Sequence, residues 1–201
     1  MSRPISQREL CSVCVYCASS RQAHPDYAEA AGKLGGLLAR RGIAIVYGGG
    51  AVGSMGALAD GALAAGGRVI GVLPRFMYDL EMGHPGISDM RLVNDLHERK
   101  RMMIEQVDGI VALPGGSGTL EELFEAITWK RLGLCLQPIV MLNIRGYYDR
   151  IGALLRHTIA ERFMDQRHDE MWSIVDRVEQ VIDALDNAPD WQVDARSFST
   201  L

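Results

Sequence analysis

A glycine-rich loop followed by two adjacent glutamates is the strongest chemical signal in the sequence. The loop reads Pro114-Gly-Gly-Ser-Gly-Thr119, and Glu121 and Glu122 follow it after the single residue Leu120. Glycine lets backbone N–H groups approach an anion closely, and the helix expected after the loop adds partial positive charge at its N-terminus. The pattern predicts a phosphate-binding site with carboxylates in the first turn of the same helix. Glycines that only make a tight turn, and glutamates that only complement the helix N-terminus, would give the same pattern.

A carboxylate close to a bound phosphate needs a balancing cation. The segment His97-Glu98-Arg99-Lys100-Arg101, which opens the preceding predicted helix, offers that cation. On its own the segment would also fit an exposed basic helix face. Adjacent residues project about 100° apart around a helix, so at most one of Glu121 and Glu122 is expected to face the cleft squarely.

Another glycine-rich loop, Gly48–Gly56, lies earlier in the chain and is the first glycine loop, the Pro114–Thr119 loop being the second. It satisfies the G-x-G-x-x-G pattern through Gly48, Gly50 and Gly53. A dinucleotide-binding site must therefore be weighed. The context argues against it, because the loop follows the second predicted strand and the next strand ends in Pro74-Arg75 instead of an acidic residue. The arginine leaves a phosphorylated dinucleotide as a minor alternative. Neither loop carries the lysine of a triphosphate-binding motif.

Cys11, Cys14 and Cys17 are spaced like metal ligands, but a buried strand is predicted here. Positions three apart in a strand face opposite ways, so the three thiolates would not converge. We expect reduced thiols. The five histidines show no ligand spacing. We therefore expect no metal and no cofactor.

Length and composition narrow the class of protein. The chain has 201 residues, 48% of them hydrophobic, and a formal net charge of −4. We expect a single domain over residues 1–201, with an ordered core at about 10–187 and loose segments on either side. The negative charge argues against nucleic acid as a partner. No apolar run approaches the roughly 18 to 20 residues of a membrane span, and no leader pattern opens the chain, so a cytoplasmic protein without membrane association is expected.

Apolar runs that end in glycine or proline alternate with stretches of helical periodicity, which predicts an α/β fold with an open parallel sheet and helices on both faces. Strands are predicted near residues 12–17, 43–47, 69–73, 90–93, 109–113 and 138–142. Helices are predicted over Pro25–Arg41, Ser54–Ala65, Asp95–Val107, Thr119–Leu134 and Tyr147–Arg162. A strand over Trp172–Val175 and a helix over Asp176–Leu185 complete the prediction. Ligands of such sheets bind at the carboxyl ends of the strands, where both glycine loops fall.

The motifs together resemble those of the Lonely Guy (LOG) family. Pro114–Glu122 matches the PGGxGTxxE signature, and His97–Lys100 matches the companion HERK-type segment. The resemblance runs from about Val13 to Leu185. It implies a Rossmann-like fold, a homodimer or hexamer, and hydrolysis of cytokinin riboside 5′-monophosphates, which are small-molecule nucleotides, to the free base and ribose 5-phosphate. Many family members have been labelled lysine decarboxylases.

The resemblance also implies the site residues. Arg99 and Glu122 would form the catalytic pair. Substrate contacts would come from the following residues: Gly49, Gly50, Glu81, Lys100, Gly115, Gly116, Ser117, Gly118, Thr119, Leu120, Glu121 and Thr128. One departure is visible, since Ser54 stands before Met55 where the family often has leucine or valine.

Cleavage of an N-glycosidic bond builds positive charge on the ribose, which a carboxylate beside the anomeric carbon stabilises. Glu122 is expected to act in this way, with Arg99 as its positioning partner. Two other functions stay open: a non-catalytic nucleotide-binding or cofactor-carrier protein, and a decarboxylase with pyridoxal phosphate on a lysine. The chain has only Lys33, Lys100 and Lys130, and none lies on a convincing cofactor loop.

Four apolar residues, Met102, Met103, Trp129 and Leu132, either line a base pocket or serve as core and subunit contacts. The apolar face of the helix predicted over Thr119–Leu134 suggests a dimer interface near the active site.

Overall fold

The computed structural model describes residues 9–78 and 83–191. The strands are β1 Ser12–Tyr16, β2 Ala44–Tyr47, β3 Val69–Pro74, β4 Asp89–Val93, β5 Gly109–Ala112, β6 Ile139–Leu142 and β7 Trp172–Val175. The α-helices are α1 Pro25–Arg40, α2 Gly53–Ala64, α3 Arg75–Tyr78, α4 Leu96–Ile104, α5 Ser117–Arg131, α6 Asp149–Ala160 and α7 Val181–Asp186. Short 3₁₀ turns lie at Ile144–Gly146, Gln166–Met171 and Val178–Gln180.

Within the described residues the strands form one parallel sheet of seven strands in the order β4-β3-β2-β1-β5-β6-β7. The predicted fold class is confirmed. The chain builds the sheet outward from β1 to β4, then returns to the other side of β1 with β5. In such sheets a crevice opens at this reversal, between the loops that leave the two neighbouring strands. The loops after β1 and β5 therefore mark the expected ligand position.

Two hydrophobic cores cover the two faces of the sheet. One contains Met103 of α4 and Leu123 of α5, and the other contains Leu34 of α1 and Leu58 of α2. Alternate residues of β1 enter alternate cores, as the period of a strand requires. Cys14 lies in the first core and Cys17 in the second, so these two thiols face opposite ways, as predicted.

Helix boundaries differ from the prediction at two places that matter for the site. α5 begins at Ser117, two residues earlier than expected, because Gly116 already has the extended backbone of an N-cap. Glu121 and Glu122 therefore lie in the second turn, not the first. α6 begins at Asp149 instead of Tyr147, because a tight turn with left-handed Arg145 and Gly146 precedes it.

The C-terminal segment is less loose than expected. Residues 192–201 and the first eight residues lie outside the described part of the chain. Trp191, however, is buried and donates its Nε1–H to the Lys130 carbonyl at 2.6 Å. A tryptophan combines a large apolar ring with one polar atom, and both find partners here. Among the described helices, none has the length and apolar character that crossing a membrane requires.

Helices α1 and α2 pack closely through glycines. A Cβ placed on Gly35 would lie 2.1 Å from the Leu58 carbonyl oxygen, and one on Gly61 would lie 2.1 Å from the Gly32 carbonyl oxygen. Any side chain at these points would push the two backbones apart. The helices must keep this spacing for α2 to hold its N-terminal residues beside the loop after β1.

Replacing Gly35 with alanine is expected to lower the free energy of unfolding by about 1–3 kcal/mol, because the added methyl group meets backbone that cannot move alone. Urea denaturation measures this. Gly36→Ala is the matched control in the same helix. Its Cβ would lie 3.1 Å from the flexible end of Arg40, and the better helix propensity of alanine should make the change neutral or stabilising by up to about 1 kcal/mol. Equal losses in both variants would contradict the close-packing argument.

Candidate active site

A cavity of about 650 Å³ opens at the carboxyl ends of β1 and β5. Its walls come from the β1–α1 loop (Ala18–Ser20), Met55 of α2, Met77 of α3, and the N-terminal halves of α4 and α5. This is the reversal point of the sheet, where α/β proteins of this topology bind ligands. Volumes of 300 to 1,000 Å³ are typical of small-molecule sites.

The N-terminus of α5 forms one wall of the cavity. Gly116 is the N-cap, and no side chain of the described residues caps the helix. Ser117, Gly118 and Thr119 follow, and all of them line the cavity. The first N–H groups of a helix have no partner within it, so they are available to an anion. A Cβ on Gly115 would lie 2.1 Å from the Thr119 hydroxyl oxygen, so only glycine allows this close turn.

Arg99 is buried and held by backbone carbonyls. Its Nε donates to the Val72 carbonyl and its Nη2 to the Gly48 carbonyl, both at 3.1 Å. A Cβ on Gly48 would lie 2.3 Å from Nη2, so the glycine makes room for the guanidinium. Arg99 thus connects α4 to the ends of β2 and β3 while its side chain lines the cavity.

Glu98, the neighbour of Arg99, organises the start of α4. The Asp95 side chain accepts from the Glu98 N–H at 2.8 Å, and the Glu98 carboxylate accepts from the Asn94 N–H at 2.8 Å. These reciprocal hydrogen bonds fix the first turn of α4, and the helix continues from it directly into Arg99 and Lys100. Glu98 of the segment His97–Arg101 therefore serves to begin α4.

Glu122 is 8% exposed and lines the cavity from the second turn of α5. Its negative charge affects the pKa values of two cysteines in and just after β1. Burial, and then the negative charge of Glu122, raise the pKa of the Cys17 thiol, while the positive charge of Arg99 lowers it. The pKa of the Cys14 thiol is likewise raised by burial first and by Glu122 second. Arg99 and Glu122, 23 positions apart in sequence, therefore act on the same small region.

Lys100 is almost fully buried and is paired with two carboxylates of α5. Its Nζ lies 2.5 Å from Glu121 Oε1 and 3.0 Å from Glu125 Oε1. Burial alone lowers the pKa of this ammonium, but hydrogen bonds to Glu121 and Glu125 and their charges outweigh burial, so the pKa is raised overall. Lys100 therefore stays charged. The exposed Glu121 lines the cavity as well as pairing with Lys100, so both adjacent glutamates border it from different directions.

Several residues implied by the resemblance lie elsewhere. Gly49 and Gly50 are not among the residues that line the cavity: the Gly49 carbonyl accepts from the His84 N–H, and Gly50 forms an isolated bridge with Gly83. Leu120 packs on a core, and exposed Thr128 donates its hydroxyl to the Phe124 carbonyl. Glu81 lies outside the described residues.

The first glycine loop has a structural task. The Met55 N–H, in the first turn of α2, donates to the Ala18 carbonyl at 3.0 Å. Gly53 has a φ of +62°, and a Cβ on it would lie 2.6 Å from the Ser20 carbonyl oxygen. The loop therefore packs against the β1–α1 loop, and the three glycines of the G-x-G-x-x-G match, Gly48, Gly50 and Gly53, are not among the residues that line the cavity.

The sequence analysis did not identify every residue that lines the cavity. It missed Ala18–Ser20, Met55, Met77 and Leu96. The one available signal was the position of Ala18–Ser20 at the carboxyl end of β1, where ligands of such sheets bind. Of the residues considered for a base pocket, Met103 is in the core and Met102 packs against it. Trp129 borders a separate cavity of about 340 Å³ with Leu134 and Cys135.

These features define a doubly wound α/β protein in which a helix N-terminus without a side-chain cap lies beside a buried carboxylate and a buried arginine. Residues 55–185 match the family model described as "Possible lysine decarboxylase". The chain is 43% identical over 152 residues to the probable cytokinin riboside 5′-monophosphate phosphoribohydrolase LOGL1 of Oryza sativa subsp. japonica, covering 76% of this chain and 68% of that one. It is 42% identical over 152 residues to the cytokinin riboside 5′-monophosphate phosphoribohydrolase LOG7 of Arabidopsis thaliana, covering 76% and 70%. The chain belongs to this family, the LOG family.

Solved structures of other proteins share the fold. The molybdenum cofactor carrier protein of Chlamydomonas reinhardtii superposes with a TM-score of 0.70 at 20% identity, covering 90% of this chain and 98% of the carrier. The molybdenum cofactor binding protein of Rippkaea orientalis gives a TM-score of 0.65 at 23% identity, covering 89% and 96%. At this level of identity the likeness concerns the fold alone.

Replacing Arg99 with lysine is expected to lower the free energy of unfolding by about 1–3 kcal/mol, because an ammonium keeps the charge but cannot reproduce the planar fork that joins two carbonyls. Urea denaturation measures the loss. Arg101→Lys, two positions along the helix and exposed, should stay within about 0.5 kcal/mol of the wild type. A wild-type stability for Arg99→Lys would show that the two carbonyl contacts contribute nothing.

Proposed function

We propose that the protein hydrolyses the N-glycosidic bond of adenosine 5′-monophosphates, including N6-modified ones, to the free base and ribose 5-phosphate. The observation that carries the proposal is the buried carboxylate of Glu122 in the same cavity as the uncapped N-terminus of α5. Glu122 follows Thr119 by three residues, a rise of about 4.5 Å along the helix. That separation suits a ligand with a phosphate at one end of a ribose and the reacting carbon at the other.

The 5′-phosphate would bind to the N–H groups at the start of α5. Apart from His97, four ionisable side chains line the cavity. The two positive charges of Arg99 and Lys100 equal the two negative charges of Glu121 and Glu122. Net side-chain charge therefore does not attract the anion. Backbone N–H groups and the helix dipole must provide the affinity, as they do at other phosphate sites. A nucleoside without the phosphate would lose this anchor and its orientation.

Glu122 would act at the anomeric carbon. As the bond to the base breaks, positive charge develops on the ribose ring, and a carboxylate in a buried site stabilises it more strongly than one in water. The same carboxylate can orient or deprotonate the attacking water. Arg99 would hold the walls of the cavity through Val72 and Gly48 and keep a positive charge near Glu122.

The decarboxylase description has less support from this site. A lysine that forms an imine with a cofactor must lose its proton, which burial or nearby cations promote. Lys100 is the lysine that lines the cavity, and its two carboxylate partners raise its pKa instead. A non-catalytic carrier remains the second candidate, because the molybdenum cofactor carrier protein has the same fold and a fold by itself does not fix a function.

We also propose a cytoplasmic homodimer, with a hexamer as a further possible assembly. Leu132, Leu134 and Leu136 are 41%, 59% and 36% exposed and lie together in the segment after α5. Burial of these side chains against a second copy would remove apolar surface from water. The four cysteines are free, and three of them are buried, which suits a reducing compartment.

Glu122→Gln is expected to reduce base release from AMP and from isopentenyladenosine monophosphate by about 100-fold or more, because an amide neither carries charge nor accepts a proton. Chromatographic separation of the free bases measures turnover. AMP binding should persist in the variant, and adenosine should be a poor substrate for the wild type.

The control is Glu161→Gln, which changes an exposed residue at the end of α6 and should keep full turnover. Undiminished turnover in Glu122→Gln would refute the role of this carboxylate, and AMP binding by a wild type that releases no base would favour the carrier.

Leu134→Asp is expected to convert the dimer to a monomer, because the substitution places a charge in the apolar contact. Sedimentation velocity measures the mass. Leu154→Asp introduces the same charge at another exposed leucine, on α6, and should leave the mass unchanged. A wild-type protein that sediments as a monomer would contradict the proposed assembly.

A further inference from the structure

Two adjacent tyrosines contact the backbone that leads into the glycine loop after β5. The Tyr148 hydroxyl donates to the Leu113 carbonyl at 2.7 Å, and the Tyr147 hydroxyl donates to the Gly115 carbonyl. Leu113 and Gly115 lie on either side of Pro114, directly before the N-cap of α5. The tyrosines thus hold two carbonyls of the segment from which the proposed phosphate-binding amides follow.

The geometry of the peptide group gives the Tyr147 contact a consequence for the ligand. The Gly115 carbonyl and the Gly116 N–H belong to one trans peptide, so they point in opposite directions. A carbonyl fixed toward Tyr147 therefore points the Gly116 N–H in the opposite direction, away from the tyrosine. Gly116 lines the cavity. A hydrogen bond accepted by the carbonyl also polarises the peptide and strengthens its N–H as a donor.

Glycine makes this peptide mobile unless something restrains it. Gly115 and Gly116 adjoin each other, and a Cβ on Gly116 would have no atom within 4 Å. Two successive residues without side chains can rotate their shared peptide at low cost. The carbonyl could then face the cavity and repel an anion. Among the described residues, the Tyr147 hydroxyl is the group that hydrogen-bonds to the Gly115 carbonyl and so selects one orientation of the Gly115–Gly116 peptide.

Tyr147 is itself held firmly. Its ring stands edge-on to Tyr148, with centroids 5.1 Å apart, and to Tyr27 of α1, with centroids 6.1 Å apart. The turn before it contains two left-handed residues, Arg145 at φ +59° and Gly146 at φ +69°. A left-handed arginine is strained, and such strain is kept where the surrounding structure over-determines the backbone.

Asn143 fixes the other end of this turn. Its Oδ1 accepts from the Tyr148 N–H at 2.7 Å, and its Nδ2 donates to Asp149 and Asp176 at 2.8 and 2.9 Å. The side chain is therefore fully used in shaping the turn. The sequence Asn143-Ile-Arg-Gly-Tyr-Tyr148 forms a unit that presents two tyrosine hydroxyls to the neighbouring strand end.

We propose that Tyr147 is a positioning residue for recognition of the 5′-phosphate: its hydroxyl orients the Gly115–Gly116 peptide so that the Gly116 N–H faces the anion. The inference rests on the proposed function, because it assigns the phosphate to the start of α5. It predicts that loss of the Tyr147 hydroxyl lowers the affinity for phosphorylated ligands even when the ring contacts of residue 147 are kept.

Tyr147→Phe tests the hydroxyl, because phenylalanine keeps the ring contacts with Tyr27 and Tyr148. We expect the KM for AMP to rise about tenfold, with kcat within about threefold of the wild type. The dissociation constant for ribose 5-phosphate, measured by calorimetry, should rise in parallel. The slow turnover of adenosine should be unchanged, because adenosine has no phosphate to lose. A fall in kcat with an unchanged KM would overturn the proposal.

Tyr27→Phe is the matched control. Tyr27 packs against the same ring, and no hydrogen bond from its hydroxyl is found among the described residues. This variant should keep the wild-type KM and dissociation constant. If it loses as much affinity as Tyr147→Phe, ring packing and not the Tyr147 hydroxyl is responsible, and the proposal fails.

The outcome can be separated from that of the proposed function. If the wild type releases no base from any nucleotide but binds inorganic phosphate, the hydrolase proposal fails, and a weaker phosphate affinity in Tyr147→Phe still supports the positioning role. If the wild type binds no phosphate, both fail. Should the variant not fold, the ¹⁵N–¹H resonance of Gly116 in the wild type decides. A resonance that does not move on addition of phosphate overturns the proposal.

Discussion

The start of α5 at the reversal point of the sheet is the constraint on which the rest of the site depends. Its N–H groups have no side-chain cap among the described residues, so they are available to water or to an anion. The helix that provides them also carries Glu122, so the proposed anion site and the proposed reacting carboxylate are fixed relative to each other by helix geometry. Arg99 hydrogen-bonds to backbone carbonyls at the ends of β2 and β3, and Tyr147 and Tyr148 hydrogen-bond to carbonyls directly before α5, so these side chains hold the backbone around the helix in place.

The charges of the site follow from the same constraint. A carboxylate near a phosphate is unfavourable in a buried site, and one response would be an excess of cations. The structure does not show that excess, because Lys100 is paired with Glu121 and Glu125. Arg99 donates to two carbonyls and acts largely on the protein itself. In the proposed function, anion affinity then depends on oriented peptide groups, which makes the direction of each loop peptide important.

The two glycine loops illustrate how one composition serves two purposes. In the first loop, glycines allow close approach of protein to protein: Gly48 makes room for Arg99, and Gly53 packs on the β1–α1 loop. In the second, Gly115 makes room for the Thr119 side chain, and the residues that follow it line the cavity. Glycine removes a steric barrier in both cases. What then approaches the backbone, a neighbouring side chain or a ligand, is decided by the loop's position in the sheet.

The sequence by itself determined the parallel α/β fold and the position of the second glycine loop after β5, and its family motifs singled out Arg99 and Glu122, which both line the cavity. These depend on local periodicity and short motifs, which a chain expresses wherever it folds. Only the tertiary structure decided that Gly49 and Gly50 lie away from the cavity, that Lys100 is held by two carboxylates, that Trp191 closes over Lys130, and that Tyr147 contacts Gly115 across 32 positions. Such contacts join segments far apart in sequence, and their partners are chosen by the order and register of the strands, which no local pattern records.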